Sequence, residues 1–245
     1  YPIIPGSSIK GVLRDQTLSN DENNVETLYG YGAGSNQEDQ GAAGIISFSE
    51  AKLLLFPLRS AKGSYALATC PLALSRYRRD NNLDLDLPEE PADMECLAGH
   101  TVTLQNNGSN GVVLEEYRFK KTDDVPYNWS DHLSEILEDA VLKGARNRFV
   151  ILSNGDFAYF AMNACQVNQH VKINEKTGTA DGGALFNEET VPSEALFYSV
   201  LTDMARSEEQ QELVKKAQQN HSKEQLLQFG GNGTTGLGFC TIKLV

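Results

Sequence analysis

Three short stretches of this chain carry residue types that can hold a phosphate. In IPGSSIKGVLR, Pro5-Gly6 turns into Ser7 and Ser8, a candidate N-cap, and Lys10 and Arg14 follow with i, i+4 spacing. Unpaired N–H groups at a helix start favour an anion, and two hydroxyls and a nearby cation strengthen the site. A plain N-cap with solvated Lys and Arg would leave the same residues. In FPLRSAKGSY, Arg59 and Lys62 flank a turn, with Arg76, Arg78 and Arg79 beyond it; each could equally be a solvated charge. In FGGNGTTGLGF, five glycines fall within the nine residues 230–238. Gly230, Gly231, Thr234 and Thr235 could form a cradle of backbone N–H groups and hydroxyls, or an ordinary tight loop.

Residues 231–236 also satisfy G-x-G-x-x-G, and that match is rejected. The dinucleotide fingerprint needs a strand before it, a helix opening at its end and an acidic residue about 20 positions on. Only nine residues follow Gly236, and they read as a strand. Phe239 after Gly238 excludes a phosphate-loop lysine as well. A nucleotide-binding enzyme built on this loop therefore has one pattern in the wrong context to support it. Glu188 and Glu189 are tempting as acid/base groups or metal ligands, but neighbours on a strand face opposite ways, so at most one serves a given site. A solvated loop before Pro192 explains them too. His170 is a lone candidate proton donor. The cysteines (70, 96, 165, 240) and histidines (100, 132, 170, 221) are scattered, which argues against structural zinc and for free thiols in a reducing cytoplasm.

The chain of 245 residues carries a net charge of -12 with 40% apolar residues and a mean hydropathy of -0.37. The charge is uneven: residues 1–80 hold eight Lys/Arg and eight Asp/Glu, so the whole excess lies in 81–245. Bulk acidity argues against indiscriminate nucleic-acid binding but leaves room for a local basic groove. Apolar stretches such as LLLFPL fall far short of the roughly 18 residues that cross a bilayer, so no membrane partner is expected.

Periodicity and turn signals predict the elements that would position these residues. A helix is expected from Ser7 or Ser8 to Leu18, a polar loop over 19–43, a strand over 45–58 and another over 65–69, then a helix opened by Pro71. Residues 82–128 read as an irregular insertion. Helices follow at 131–144 and from Ser153 or Asn154 to 164, with a strand at 149–152 between them. A hairpin is expected over 166–186 about the turn EKTG. A strand at 194–201, a charged helix at 207–220 and a final strand at 239–244 complete the chain. The mixed order favours an α+β fold over a regularly alternating parallel sheet.

IPGSSIKGVLR, FPLRSAKGSYALATCPLALSRYRRD, GTADGGALFNEETVPSEALFY and FGGNGTTGLGF occur in this order along the chain. Together they resemble the RAMP superfamily of CRISPR proteins, and within it the repeated backbone subunit of the type III-B (Cmr) RNA-guided interference complex. The resemblance spans essentially the whole chain. It implies one domain over 1–245: a ferredoxin-like core of RNA-recognition type, forming a palm with a β-hairpin thumb at about 167–186. It further implies copies stacked as a filament on guide RNA, beside other Cmr subunits. Target single-stranded RNA would be cut at regular intervals with a divalent metal ion, Mg or Mn, and an essential Asp. By motif, Ser7, Ser8, Lys10 and Arg14 would lie along guide RNA, with Arg59, Lys62 and the glycine loop nearby. The essential Asp of the family precedes the IPGSSIKG motif, so it and the first core strand are expected upstream of Tyr1. No aspartate of this chain is given that role. The alternative within the superfamily is a guide-processing endoribonuclease or a non-catalytic capping subunit.

Overall fold

The runs LLLF at 53–56 and FVIL at 149–152 are apolar on successive residues, the pattern of strands covered on both faces, and both are buried in the largest sheet. The computed structural model describes residues 1–18, 24–32, 41–106 and 108–244. In chain order the elements are β1 (Ile3–Ile4), α1 (Gly6–Leu18), α2 (Val25–Tyr29), β2 (Gly30–Tyr31), β3 (Ala42–Ala43), β4 (Ile46–Phe48), β5 (Ala51–Ser60) and β6 (Ser64–Thr69). Then come α3 (Pro71–Asp80), β7 (Glu95–Ala98), β8 (Leu104–Asn106), β9 (Ser109–Leu114), β10 (Tyr117–Asp123), α4 (Tyr127–Glu135), α5 (Ala140–Gly144) and β11 (Phe149–Leu152). The chain closes with α6 (Asn154–Asn163), β12 (Gln166–Ile173), β13 (Ala180–Thr190), β14 (Leu196–Tyr198), β15 (Leu201–Asp203), α7 (Glu208–Asn220), β16 (Gln225–Gln228) and β17 (Phe239–Ile242). The fold is α+β, as expected.

The residues group into two compact units. The first comprises 1–2 and 53–196. Its sheet runs β5-β6-β11-β7-β10-β9-β8, with β6–β11 and β7–β10 parallel and the other neighbours antiparallel. Trp129 of α4 is buried and donates from Nε1 to the Asp86 carbonyl at 2.7 Å, which fastens part of the element-free stretch 83–94. Carboxylates fasten the rest to the start of α6: Glu90 accepts from Asn154 N at 2.8 Å and Asp93 from Ser153 Oγ at 3.3 Å. Acids are favoured there because they meet unpaired N–H groups and the positive end of the helix dipole. The hairpin β12–β13 forms a separate two-stranded sheet.

The second unit comprises 3–52 and 197–245. It contains α1, α2 and α7 and the antiparallel pairs β2–β3, β4–β15 and β16–β17. Ile9, Leu13, Val25, Leu28, Tyr29, Ile46, Val214 and Leu227 belong to one apolar core. Thr17 lies on the same face of α1 as Ile9 and Leu13; its Oγ1 donates to Leu13 O at 2.8 Å and lies 3.0 Å from the Tyr29 hydroxyl.

Several local expectations are corrected. Of the expected loop 19–43, the parts 19–23 and 33–40 lie outside the described residues, and the remainder holds α2, β2 and β3. The expected strand 45–58 is two strands parted at Ser49-Glu50, where Ser49 Oγ accepts from Val200 N at 2.9 Å. The expected helix 131–144 is two, because Asp139 caps a new start by accepting from Leu142 N at 2.8 Å. The stretch expected to be irregular divides: 95–123 folds into β7 to β10, whose buried Cys96, Ala98, Val112, Leu114 and Phe119 are too sparse to show a period. The expected strand 194–201 is the two short strands β14 and β15.

Phe149 is fully buried in β11, between β6 and β7. Phe149→Ala is expected to destabilise the chain by about 3–5 kcal/mol in urea unfolding. Tyr127→Ala, at a residue 70% exposed, is expected to stay within about 1 kcal/mol of wild type, allowing for the loss of the Arg146 guanidinium over the Tyr127 ring.

Candidate nucleic-acid interface

The first phosphate-type stretch folds as a helix start, one or two residues earlier than its serines suggest. Helix α1 begins at Gly6, so Ser7 and Ser8 stand in its first turn and neither is the cap. The Pro5 carbonyl accepts from Ser8 N at 2.9 Å and Ile9 N at 3.2 Å. Gly6 lies against the 48–49 backbone so closely that a Cβ there would sit 2.5 Å from the Phe48 oxygen, which explains a glycine at this first position. Ile9 and Leu13 face the core, and helical spacing then puts Ser7, Lys10 and Arg14 together on another face. Ser7 is exposed, Ser8, Lys10 and Arg14 half-buried. Arg14 Nε is covered and has no hydrogen-bond partner among the described residues.

The glycine loop connects β16 and β17, an antiparallel pair. No helix opens after it; a single 3-10 turn at Gly233–Thr235 lies inside it. The rejection of the dinucleotide fingerprint therefore holds on topology. Gly230, Gly236 and Gly238 take φ of 82°, 85° and 76°, and Asn232 takes 58°. At Gly238 the left-handed φ coincides with a backbone approach that leaves no room for a methyl group beside the Phe229 carbonyl. Sequence reading missed Gln228. Its amide lies 3.0 Å from Gly230 O and 3.2 Å from Gly231 O, with longer contacts to Phe229 O and Leu237 O. One side chain thus gathers the loop's acceptors, which is the arrangement a loop needs if its donors are to serve an anion. Thr235 Oγ1 donates to Asn232 O at 2.8 Å, and Thr234 is exposed. The loop's root shares the core of α1: Leu227 belongs to it, and Phe229 and Ile242 pack against it.

Arg59 and Lys62 belong to the first unit, and both are engaged there. Arg59 Nε and Nη2 reach Glu115 Oε2 at 2.6 and 2.5 Å, and Glu115 Oε1 also accepts from Arg59 N at 2.8 Å. The hydrogen bond to Glu115, then its charge, raise the Arg59 pKa. Lys62 Nζ donates to Thr103 O at 2.6 Å and His100 O at 3.3 Å. Of the three arginines on α3, Arg78 donates to Leu85 O at 3.0 Å and Arg79 pairs with Asp80, while Arg76 is exposed.

The expected hairpin is present, with His170 opposite Phe186 and Val171 opposite Leu185. The His170 ring stacks on Phe186 at 5.1 Å and 14°, and its Nε2 lies 3.3 Å from Glu188 Oε2. Glu188 and Glu189 are in β13, not in a loop, and pair with Asn168 and Val167, so they face opposite sides. Burial raises the thiol pKa at all four cysteines, at Cys96 to about 12, which leaves them poor nucleophiles and poor metal ligands. Among the described residues no three His, Cys, Asp or Glu side chains gather as a metal site. No described helix is long and apolar enough to cross a membrane.

Comparison with known proteins adds to this geometry. The model of the RAMP superfamily matches residues 1–241. The CRISPR system Cmr endoribonuclease Cmr4 of Pyrococcus furiosus is 30% identical over 256 aligned positions, covering all of this chain and 84% of that one. The crystal structure of oligomeric Cmr4 from Pyrococcus furiosus superposes with a TM-score of 0.76 at 27% identity, over 99% of this chain and 86% of that one. A chain of the type III-B Cmr-beta complex bound to cognate target RNA shares the fold, with a TM-score of 0.71 at 17% identity over 99% and 84% of the two chains.

Gly238→Ala is expected to lower the melting temperature clearly, because it adds a strained φ, about 1–3 kcal/mol by itself, to an overlap with Phe229. Gly231→Ala, where nothing lies within 4 Å of an added Cβ, is expected to melt as wild type. Equal melting of the two variants would mean that the loop does not hold this conformation.

Proposed function

Because the chain belongs to the RAMP superfamily, whose α+β, ferredoxin-like fold it carries, we propose that it is a guide-RNA-binding backbone subunit of a type III-B CRISPR interference complex. The observation that carries the reading is the rooting of two anion-type features in one core: the start of α1 with Ser7, Ser8, Lys10 and Arg14, and the glycine loop ordered by Gln228. Helix-start N–H groups, glycine backbone and two cations grip a sugar–phosphate chain without reading its bases, which is what a subunit serving any guide requires. Acidity elsewhere is compatible, since surface charges beyond a Debye length of about 8 Å are largely screened.

Self-association along the guide is part of the proposal, supported by the oligomeric Pyrococcus relative, and so are contacts with other Cmr subunits, target RNA binding and a cytoplasmic location. RNA cleavage by the assembled complex is included on the strength of the relative named an endoribonuclease. A divalent metal ion, Mg or Mn, is proposed as its cofactor. The described residues do not converge on a metal, so no cleavage step is assigned to them. A guide-processing or capping subunit would stay single on guide RNA, whereas a backbone subunit adds copies through heterologous contacts. Sedimentation with guide RNA of increasing length separates these readings.

The direct test is fluorescence anisotropy with single-stranded RNA of mixed sequence at several salt concentrations. The log–log slope is expected near -0.7 per neutralised phosphate. Lys10→Ala and Arg14→Ala are each expected to weaken binding alike for all sequences and to reduce the slope by about 0.7. A flat salt response would remove the proposal.

A further inference from the structure

The two residues between β9 and β10 are both glutamates, and the first, Glu115, takes a φ of 51°, a region that favours glycine. Its carboxylate closes on Arg59 Nε and Nη2 and on the Arg59 backbone N, so that ion pair is balanced internally. Glu116 is not balanced in this way. Its side chain is 76% exposed, and its oxygen lies 3.5 Å from Arg59 Nη2, a nitrogen that Glu115 already holds. With Tyr117, Tyr159 and Asn163 these residues line a half-open pocket of about 520 Å³ in the first unit. That volume falls in the range of small-molecule sites, about 300–1,000 Å³. The Tyr117 and Tyr159 rings meet edge to face at 5.6 Å and 82°, their hydroxyls lie 2.7 Å apart, and both side chains remain partly exposed. Pro57, Phe160 and Pro192 add apolar wall. One arginine against two glutamates leaves the lining with a net charge of -1.

We infer that this pocket takes the primary ammonium end of an alkylamine, as a free polyamine or a lysine side chain carries it. One cation balances the lining, and Glu116 is the carboxylate open to it. Tyrosine rings attract a cation to their faces as well. The paired hydroxyls share one hydrogen between two oxygens, which leaves lone pairs to accept from an N–H. Asn163 Nδ2 donates to Tyr159 O at 2.8 Å, so its Oδ1 faces no such demand and is a further acceptor. An ammonium has three N–H donors and no acceptor, and Glu116, a tyrosine oxygen and Asn163 Oδ1 match that number. The methylenes behind the ammonium suit the apolar wall. An anion, RNA phosphate included, meets a lining of its own sign. Magnesium or calcium needs several oxygen ligands, and no three His, Cys, Asp or Glu side chains gather among the described residues. The inference is independent of the RNA-binding reading, since no nucleic acid takes part.

The test is isothermal titration calorimetry of the full chain with spermidine, with Nα-acetyl-lysine amide and, as an uncharged control, with 1-butanol. Magnesium chloride in the buffer screens the chain's overall charge. Wild type is expected to bind at least one of the two amines saturably and to ignore butanol. Tighter binding of spermidine assigns the site to a free polyamine, and tighter binding of the lysine derivative assigns it to a lysine of a partner protein. Glu116→Gln is expected to weaken the amine by about 10-fold, the loss of one hydrogen bond to a charged group. Glu89→Gln removes the same charge from another exposed position and should bind as wild type. Tyr159→Leu keeps an apolar side chain without the ring and should weaken binding by about 2- to 5-fold. Melting temperatures are measured alongside, and exposed Glu116 still decides the matter if Tyr159→Leu fails to fold. Equal weakening by Glu116→Gln and Glu89→Gln overturns the site, because the amine is then gathered by bulk acidity. Butanol bound as well as the amines, or no saturable binding by wild type, overturns it too.

Discussion

Burial of one face of α1 fixes where the remaining polar side chains of that helix stand. Ile9 and Leu13 lie in the core with Tyr29 and Leu227, each large apolar side chain contributing about 1.5–3 kcal/mol on full burial. Once that face is fixed inward, the helical repeat leaves Ser7, Lys10 and Arg14 no choice but a common face elsewhere. Thr17 adds direction, because its hydroxyl is 3.0 Å from that of Tyr29; burial then raises the Tyr29 pKa, and the hydrogen bond offsets it only in part. The same core holds the root of the glycine loop through Leu227 and Phe229. Apolar packing thus sets the geometry of a polar surface, and the loop's own conformation is left to Gly238 and the Gln228 amide.

Charge is distributed by the same logic. A chain of net charge -12 attracts a polyanion only where its cations are not already spent. In the first unit they are largely spent. Arg59 bridges β5 to the turn between β9 and β10 through Glu115, and Lys62 ties the 100–103 carbonyls. For either to bind RNA phosphate, a short internal contact must first be exchanged, so its net contribution is smaller than its formal charge suggests. Lys10 and Arg14 carry no such contact among the described residues, so under the proposed RNA-binding reading the electrostatic weight falls on α1.

Much of this was legible in the sequence where one residue type forces one outcome. Pro71 opened α3, Ser153 and Ser207 capped α6 and α7, and Gly178 with φ of 68° closed the hairpin turn. The continuous apolar runs marked β5 and β11. What was not legible depended on distant partners. The strands β7 to β10 are short and half polar, and they gain their status from neighbours in the sheet. The Arg59–Glu115 pair spans 56 positions, so the sequence shows a free arginine where the fold shows a bridge. Gln228 before a run of glycines carries no signal until the loop closes around it. The start of α1 was misplaced because Ser7 and Ser8 are strong capping types, whereas the Phe48–Ser49 backbone against Gly6 belongs to another stretch of chain.

The hairpin β12–β13 follows a different rule from either core. It is a two-stranded sheet, an arrangement of marginal stability alone in water. Val167, Val171, Leu185 and Phe186 are 48–60% exposed, so little burial supports it. What remains is local: the His170–Phe186 stack, the Val171–Leu185 pair, and the turn where Asn174 Oδ1 accepts from Lys176 N and Thr177 N at 2.9 and 3.2 Å. Cross-strand pairs contribute about 0.2–1 kcal/mol each, which is small beside the cost of ordering the backbone. Its root is different, because only Ala164 and Cys165 separate β12 from α6, whose Phe157, Phe160 and Ala161 are buried. The ribbon therefore has a fixed origin and a tip that opens at a lower free energy than the sheet behind it. Its conformation is the part of the first unit most easily set by what it meets.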